Sequence, residues 1–429
     1  MKKIIIIGMG KSGKSLYRFL EKEGHDLYVF DDHLPKDHPY QLLDREQHYD
    51  LALLSPGIKL DHPVVRWCVD QGIELQGEIQ FAASQMKGKL IGVTGTNGKS
   101  TTVHLIHELL CSEKKHVFLA GNIGYPLVDF VEDSLDDHLY VVELSSFQLA
   151  SSKDLNFAIG AILNITPDHV LWHGSFDEYV QAKLHLLKQS EVILLNADDS
   201  LLLEHAEELI DQDTLYFSKE RPMRGAYVEE GVIYYDHGHK EAIMKREEIL
   251  LEGDFNLENA LSAIVIAKLL GISNESIKQV LASFKGIPHR YELLGEWWGI
   301  RVINDSKATN PESTIPKLKS VNRPTILIAG GMDKESDFSE LASLIRENIE
   351  YVYLFGENKL KLLDALGDYS QVDVVSNLDE AFRASIERAH SGYTILLSPA
   401  SASWDMYESY EKRGDHLRRL FGELHDQTT

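Results

Sequence analysis

The run Gly95-Thr96-Asn97-Gly98-Lys99-Ser100-Thr101 has the residue types and the spacing to hold a nucleoside triphosphate. Glycines and small side chains let backbone N–H groups turn inward on a phosphate, and a helix starting there adds partial positive charge. Lys99 is placed to reach the β- and γ-phosphates and Ser100 to offer its hydroxyl to Mg²⁺. Downstream, Glu143 falls in an apolar run (139–144), where a Mg²⁺-binding carboxylate belongs relative to a phosphate loop; a capping glutamate is the plainer reading. His169 follows Asp168 after another apolar run (158–164), a setting for metal or proton chemistry, although a lone histidine is as often structural. Lys183 shares one helical face with Phe176, Val180 and Leu187. Either it snorkels to water past them, or it is directed into the site or chemically modified. Asn256 and Asn259, at the entrance of an apolar helix (260–270), are caps or amide readers of a base edge.

These residues need a strand–turn–helix frame. The apolar residues 90–93 predict a buried strand and 103–110 a helix. Residues 215–250 alternate and predict a small β appendage without chemistry of its own. From about residue 287 a βα alternation restarts, with strands predicted at 301–304, 325–329, 351–355, 372–375 and 393–397. Polar clusters follow three of them: Asp305-Ser306-Lys307-Ala308-Thr309, Gly330-Gly331-Met332-Asp333-Lys334 and Ser398-Pro399-Ala400-Ser401-Ala402-Ser403. In an open parallel sheet such ends face the ligand crevice. Pro288-His289-Arg290 sits at the expected domain hinge, where an arginine can reach phosphates.

The first segment sets a trap. Gly8-Met9-Gly10-Lys11-Ser12-Gly13-Lys14-Ser15 fits both G-x-G-x-x-G and G-x-x-x-x-G-K-S, whereas Val93 replaces the first glycine of the latter pattern at 93–100. Asp31 and Asp32 close a second strand (27–30) about twenty residues on, as in a ribose-binding unit. The third strand (50–54) ends in Ser55-Pro56-Gly57, with no carboxylate for Mg²⁺. The segment therefore reads as a Rossmann-like unit that binds a nucleotide or dinucleotide diphosphate without hydrolysing it, or else as a doubly wound domain with an empty crevice. The expected fold class is α/β in three domains: 1–86 Rossmann-like, 87–286 a central phosphate-loop ATP-binding domain, and 287–429 a Rossmann-like parallel sheet.

Composition sets the bounds. The 429 residues suffice for several domains, and a net charge of −24 argues against nucleic acid as a general partner. Two cysteines, Cys68 and Cys111, form no disulfide framework and suit a reducing compartment. No run approaches a membrane span, so the expected location is the cytoplasm.

The motifs GVTGTNGKST, GNIG, VELSSFQL, NITPDH, YVQAKL, FNLENALSA, PHRYE, NDSKATNP, AGGMDK and LSPASASWDMYESYEKRG together carry a resemblance over essentially the whole chain. The sequence resembles the Mur ligases of peptidoglycan precursor synthesis. The last three motifs favour the branch that joins D-glutamate to UDP-N-acetylmuramoyl-L-alanine. The resemblance implies an ATP-dependent amide ligase working as a monomer through an acyl phosphate. It places ATP in the central domain, the UDP moiety in the first and the amino acid in the third. Carried over residue by residue, it implies that Gly95 to Thr101, Asn259, Arg290, Asp305 and Lys307 bind ATP, with Lys99 on the γ-phosphate. Ser100 and Glu143 would hold one Mg²⁺, and His169 with a carbamylated Lys183 a second. Ser12, Asp31, Ser55, Pro56 and Gly57 would lie along the UDP and Asn122 would meet the muramoyl part. Thr309, Lys334, Ser403 and Tyr410 would fix D-glutamate. Leu171, Phe255, Asp333 and Tyr410 depart from the commonest family residues at their positions. The rival readings are a sibling ligase adding another amino acid, a folate-extending ligase, and a nucleotide-dependent switch.

Overall fold

A computed structural model of the chain describes residues 1–35, 37–211, 213–333 and 336–426, with residues 425 and 426 described by backbone alone. Three sheets form. The first has the order β2-β1-β3-β4, from β1 (Lys3–Ile7), β2 (Asp26–Phe30), β3 (Leu51–Leu54) and β4 (Glu74–Gly77), all parallel. The second holds β5 (Lys89–Thr94), β6 (Val117–Gly121), β7 (Leu139–Glu143), β8 (Phe157–Ile162), β9 (Ser190–Asn196), β10 (Leu215–Ser218), β11 (Gly225–Glu229), β12 (Val232–Asp236) and β13 (Lys240–Lys245). Its nine strands run β13-β12-β11-β10-β9-β8-β5-β7-β6. The third runs β14-β15-β19-β16-β17-β18, from β14 (Glu292–Trp297), β15 (Ile300–Asn304), β16 (Thr325–Gly330), β17 (Tyr351–Phe355), β18 (Val372–Val374) and β19 (Thr394–Leu397); only β14 is antiparallel to its neighbour.

The strand sequences explain the layering. Ile4 to Ile7 are all buried, as are Leu51 to Leu54 and Thr394 to Leu397. Continuous apolar runs of this kind are what parallel strands covered on both faces require. The alternating residues 215–250 form strands but not a separate appendage. β10 pairs in parallel with β9 and β11 in parallel with β10, and only β12 and β13 return antiparallel, so the segment extends the second sheet. Alternation marks a half-covered strand; it does not say which edge the strand joins.

The chain divides into two compact units, Met1–Ile249 with Glu258–Ala282, and Leu250–Leu257 with Ser283–Thr429. Within the first unit the first two sheets share a core, in which Ile4, Leu16 and Leu53 cluster with Leu90, Tyr140, Phe157 and Leu186. The second unit has two cores, one on each face of its sheet. No helix among the described residues is long and apolar enough to cross a membrane.

Candidate active site

β5 delivers the phosphate loop. The chain leaves the sheet at Thr94 and turns through Gly95 (φ +156°) and Gly98 (φ +85°), and the helix Lys99–Cys111 follows. Gly98 has two reasons to be glycine: its left-handed backbone, and a Cβ position 2.3 Å from Asn259 Oδ1. Asn259 also accepts from Thr102 Oγ1 at 3.1 Å. Asn164 brackets the loop, accepting from Asn97 N at 2.8 Å and donating to Asn97 O at 3.2 Å. Thr96 Oγ1 lies 2.8 Å from Tyr179 Oη and accepts from Thr166 N at 2.9 Å. Lys99 Nζ folds over the loop, donating to Gly95 O at 2.6 Å and Thr96 O at 2.9 Å, and Ser100 is buried behind it.

Glu143 ends β7 in register with Val93 of β5, beside the strand that delivers the loop. It is 2% exposed. Its Oε1 accepts from Asn122 Nδ2 at 2.7 Å, while Oε2 is buried with no hydrogen-bond partner among the described residues. An unpartnered buried carboxylate oxygen is costly unless a cation meets it. The Glu143 carboxylate thus suits a hard, oxygen-seeking ion such as Mg²⁺. The capping reading of Glu143 fails, because Ser145 caps the next helix, Ser146–Ala150, in a reciprocal box with Gln148. Asn122 meets Glu143 rather than standing free.

His169 has a left-handed backbone (φ +52°) at the start of a short turn of helix, Val170–His173. Its Nε2 is 3.4 Å from Asp168 Oδ2 and its ring 4.8 Å from that of Phe147. Partial burial lowers its pKa; Asp168 opposes this, and Lys99 and Lys183 add to it. The neutral imidazole so favoured has a lone pair to offer. Lys183, on the helix Phe176–Lys188, is 1% exposed with Nζ 4.7 Å over the Tyr179 ring, so it does not snorkel. Burial, then the charge of Lys99, hold its amine well below the usual lysine range, against the pull of Asp168. His173 has no role in the sequence reading, yet its Nε2 lies 2.9 Å from Ser146 Oγ, and burial pushes its pKa down to about 4.

The first sheet carries a second polar crevice in the same unit. Gly13 is forced: a Cβ there would stand 1.9 Å from Gly8 O. The helix Lys11–Lys22 therefore packs directly on the turn after β1. Ser55 Oγ donates to Gly8 O at 2.6 Å, and Asp31 accepts from Met9 N at 2.6 Å and His33 N at 2.7 Å. Ser12, Asp31, Ser55, Pro56 and Gly57 line a cavity of about 670 Å³ together with Gly10, Lys59 and His62. Ser55 and Asp31 thus shape the turn as well as facing the cavity. Asn122 is not among the lining residues.

In the second unit, polar groups gather at the carboxyl ends of β15, β16 and β19. Asp305 is buried and accepts from Tyr291 N at 3.0 Å and Ser398 Oγ at 2.8 Å. Burial pushes its carboxyl up, against the pull of Lys317, Ser398, Tyr291 and Arg290. Lys307 Nζ stands 4.4 Å over the Tyr410 ring, and Ser306 Oγ donates to Tyr410 O at 2.8 Å. Ser403 is buried and Thr309 half-buried. Lys334 lies outside the described residues. Arg413, missing from the sequence reading, is fully buried and ties two of the clusters together: Nε to Ser306 Oγ at 3.0 Å, Nη2 to Ser306 O at 2.9 Å and to Ser401 O at 3.0 Å. Six non-glycine residues among those described have positive φ, and four of them, His169, His289, Tyr291 and Ala400, fall in these site loops, where backbone strain concentrates.

Three family models match in chain order: the Mur ligase MurD-like N-terminal domain over residues 2–77, the Mur ligase middle domain over 93–267, and the Mur ligase glutamate ligase domain over 289–401. The UDP-N-acetylmuramoylalanine--D-glutamate ligase of Alkaliphilus oremlandii is 35% identical, covering 99% of this chain and 98% of its own length. That of Caldicellulosiruptor bescii is 37% identical over 99% and 98%. The chain belongs to the Mur ligase family. Among solved structures, a MurF ligase of Thermotoga maritima in complex with ADP superposes with a TM-score of 0.62 at 16% identity, covering 99% of this chain and 95% of that one. At that identity it speaks for the fold, the three-domain α/β fold of Mur ligases.

The phosphate loop, Glu143, His169, Lys183 and Asn259 of this Mur ligase fall in one compact unit, and Arg290, Asp305, Lys307, Thr309, Ser403 and Tyr410 in the other. His173 and Arg413 escaped the sequence reading because their partners, Ser146 and Ser306, are remote in the chain. The signal for Arg413 was an arginine inside an otherwise flagged motif, YESYEKRG.

Proposed function

We propose that this chain is the ligase that joins D-glutamate to UDP-N-acetylmuramoyl-L-alanine at the expense of ATP, in peptidoglycan precursor synthesis. The observation that carries the reading is the similarity, at 35–37% identity over nearly the whole chain, to enzymes named for that reaction. The geometry supports the chemistry independently: a phosphate loop, a buried carboxylate oxygen lacking a partner and a buried lysine lie in one unit.

Amide formation from a carboxylate in water is uphill, so the L-alanyl carboxylate must be activated. One of its oxygens attacks the γ-phosphorus of ATP, the bond to ADP breaks, and an acyl phosphate forms. The D-glutamate amine then attacks the acyl carbon, a C–N bond forms, and inorganic phosphate leaves with the attacking oxygen. The chain's part is positioning and neutralisation of charge. Loop N–H groups and Lys99 hold the transferring phosphoryl group. Two anions meeting at about 3 Å repel by several kcal/mol at an effective dielectric near 20, which Lys99 screens. Ser100 and Glu143 would hold one Mg²⁺, and His169 and Lys183 a second; the ions supply further charge neutralisation. Lys183 fills its role as a carbamate: its neutral amine adds CO₂, an N–C bond forms and a proton is lost, turning a buried cation into a metal-binding anion. By the family resemblance, Asn259, Arg290, Asp305 and Lys307 also bind ATP. Ser12, Asp31, Ser55, Pro56 and Gly57 take the UDP, Asn122 meets the muramoyl part, and Thr309, Lys334, Ser403 and Tyr410 hold D-glutamate. The enzyme works as a monomer in the cytoplasm.

The test is phosphate release from ATP with UDP-N-acetylmuramoyl-L-alanine while the amino acid is varied. Release confined to D-glutamate is expected. Release with another amino acid makes the chain a sibling ligase, and release indifferent to any amino acid makes it a switch. For Lys183, ¹³C-labelled bicarbonate is expected to give a carbamate carbon resonance that Lys183→Ala lacks; a resonance unchanged in that variant refutes the modification.

A further inference from the structure

At the other end of the second sheet from the phosphate loop, three metal-ligating side chains meet. His116 precedes β6 and His138 precedes β7, and the pairing of Val117 with Leu139 sets them side by side. Leu139 N donates to His116 O at 2.9 Å, and the two imidazole rings are 4.9 Å apart. Asp137 lies between them, with Oδ2 3.1 Å from His116 Nδ1 and Oδ1 4.0 Å from His138 Nε2. One ligand atom from each residue falls within 4.8 Å of the others.

The site has a rigid half and an adjustable half. His138 is buried, and its Nδ1 is 3.0 Å from Tyr140 Oη. Tyr140 is itself buried and packs against Phe118 and Phe130. With Nδ1 bonded to the phenol, Nε2 faces Asp137, the arrangement in which one ring nitrogen is held so that the other can ligate. His116 and Asp137 are exposed, and among the described residues no packed side chain fixes them as Tyr140 fixes His138. Metal bonds of about 2.0–2.1 Å require ligand atoms roughly 3.3 Å apart, a modest closure from the observed spacing. An ordinary exposed His–Asp pair needs no second imidazole and gains little from one.

We propose that His116, Asp137 and His138 bind a divalent transition-metal ion of the zinc, cobalt and nickel class. Two imidazoles and a carboxylate select such ions over Mg²⁺ and Ca²⁺, and three protein ligands leave a fourth position open. The ion ties the starts of β6 and β7 to the segment that brings the chain from the first sheet into the second. His138 O accepts from Lys89 N at 2.9 Å, and Lys87 N donates to Ser134 Oγ at 3.1 Å. Binding therefore stabilises that junction by mass action.

The experiment titrates Co²⁺ into the full-length, chelator-stripped protein in excess Mg²⁺. Visible d–d absorption of tetrahedral type, saturating at one equivalent and displaced by Zn²⁺, is expected, with Zn²⁺ also raising the unfolding temperature. His116→Ala and Asp137→Asn, both at exposed positions, should each weaken binding by at least about tenfold, while Glu143→Gln keeps the signal. Absence of the absorption in the parent protein, its survival in both variants, or its loss in Glu143→Gln would overturn the assignment.

Discussion

Glu143 is the residue where the cost of burial and the chemistry meet. One oxygen is satisfied by Asn122 and the other has no hydrogen-bond partner among the described residues. A glutamine in its place keeps an acceptor for Asn122 and removes an uncompensated buried charge. Glu143→Gln is therefore expected to lower turnover at least about a hundredfold while leaving the metal-free melting temperature equal or higher. A clear fall in that temperature would mean that Oε2 has a structural partner. Lys99→Ala is expected to abolish turnover yet leave affinity for the UDP-substrate nearly intact, as read by calorimetry, because the UDP crevice is built by other residues around β1 and β3. The places of Lys99 and Ser100 at a helix start and of Glu143 at a strand end were legible because local spacing fixes them. His173, Arg413 and Glu78 were not, because each acquires its setting from residues 27 to 107 positions away.

At the scale of elements, the two glycine turns differ in what they demand. At Gly98 the obstacle is Asn259, a side chain; at Gly13 it is the Gly8 carbonyl, backbone with little room to yield. Gly13→Ala is therefore expected to cost about 1–3 kcal/mol or more and to lose the UDP-substrate before ATP, measured by denaturant unfolding and by separate binding titrations. Equal loss of both ligands would mean that the strain spreads through the whole unit. The literal phosphate-loop match at Gly8 to Ser15 misleads for a related reason. Gly13 there serves close packing of a helix on a strand turn, and no carboxylate follows at the end of β3. Most strands of the third sheet were readable from apolar runs; β14 was not. That strand, Glu-Leu-Leu-Gly-Glu-Trp, is an edge with one antiparallel neighbour and a shift of register before Gly295, so it lacks a buried strand's pattern. β4, Glu-Leu-Gln-Gly, escaped likewise: it is an edge strand with a single apolar side chain.

For the molecule as a whole, the first two sheets share a core and a buried acid. Glu78, 1% exposed at the start of the helix Glu78–Ala83, accepts from Val128 N at 2.9 Å, and its Oε2 has no hydrogen-bond partner among the described residues. Burial pushes its pKa up from the ordinary 4.5 to about 7. The folded chain thus holds this proton up to about pH 7 and the unfolded chain only to about 4.5, so folding takes up a proton in that window. Stability then falls as pH rises through it, by about 3 kcal/mol at most for this one group. Glu78→Gln is expected to remove that slope and to be more stable than the parent at pH 8 in urea unfolding; parallel curves for the two proteins would contradict it. The central claim remains that ATP activates a carboxylate before the amine arrives. Its most direct test uses UDP-N-acetylmuramoyl-L-alanine labelled with ¹⁸O in the alanyl carboxylate. The phosphate released on ligation to D-glutamate should carry one ¹⁸O atom, because the oxygen that attacks phosphorus leaves with it; unlabelled phosphate alongside labelled amide would contradict the account.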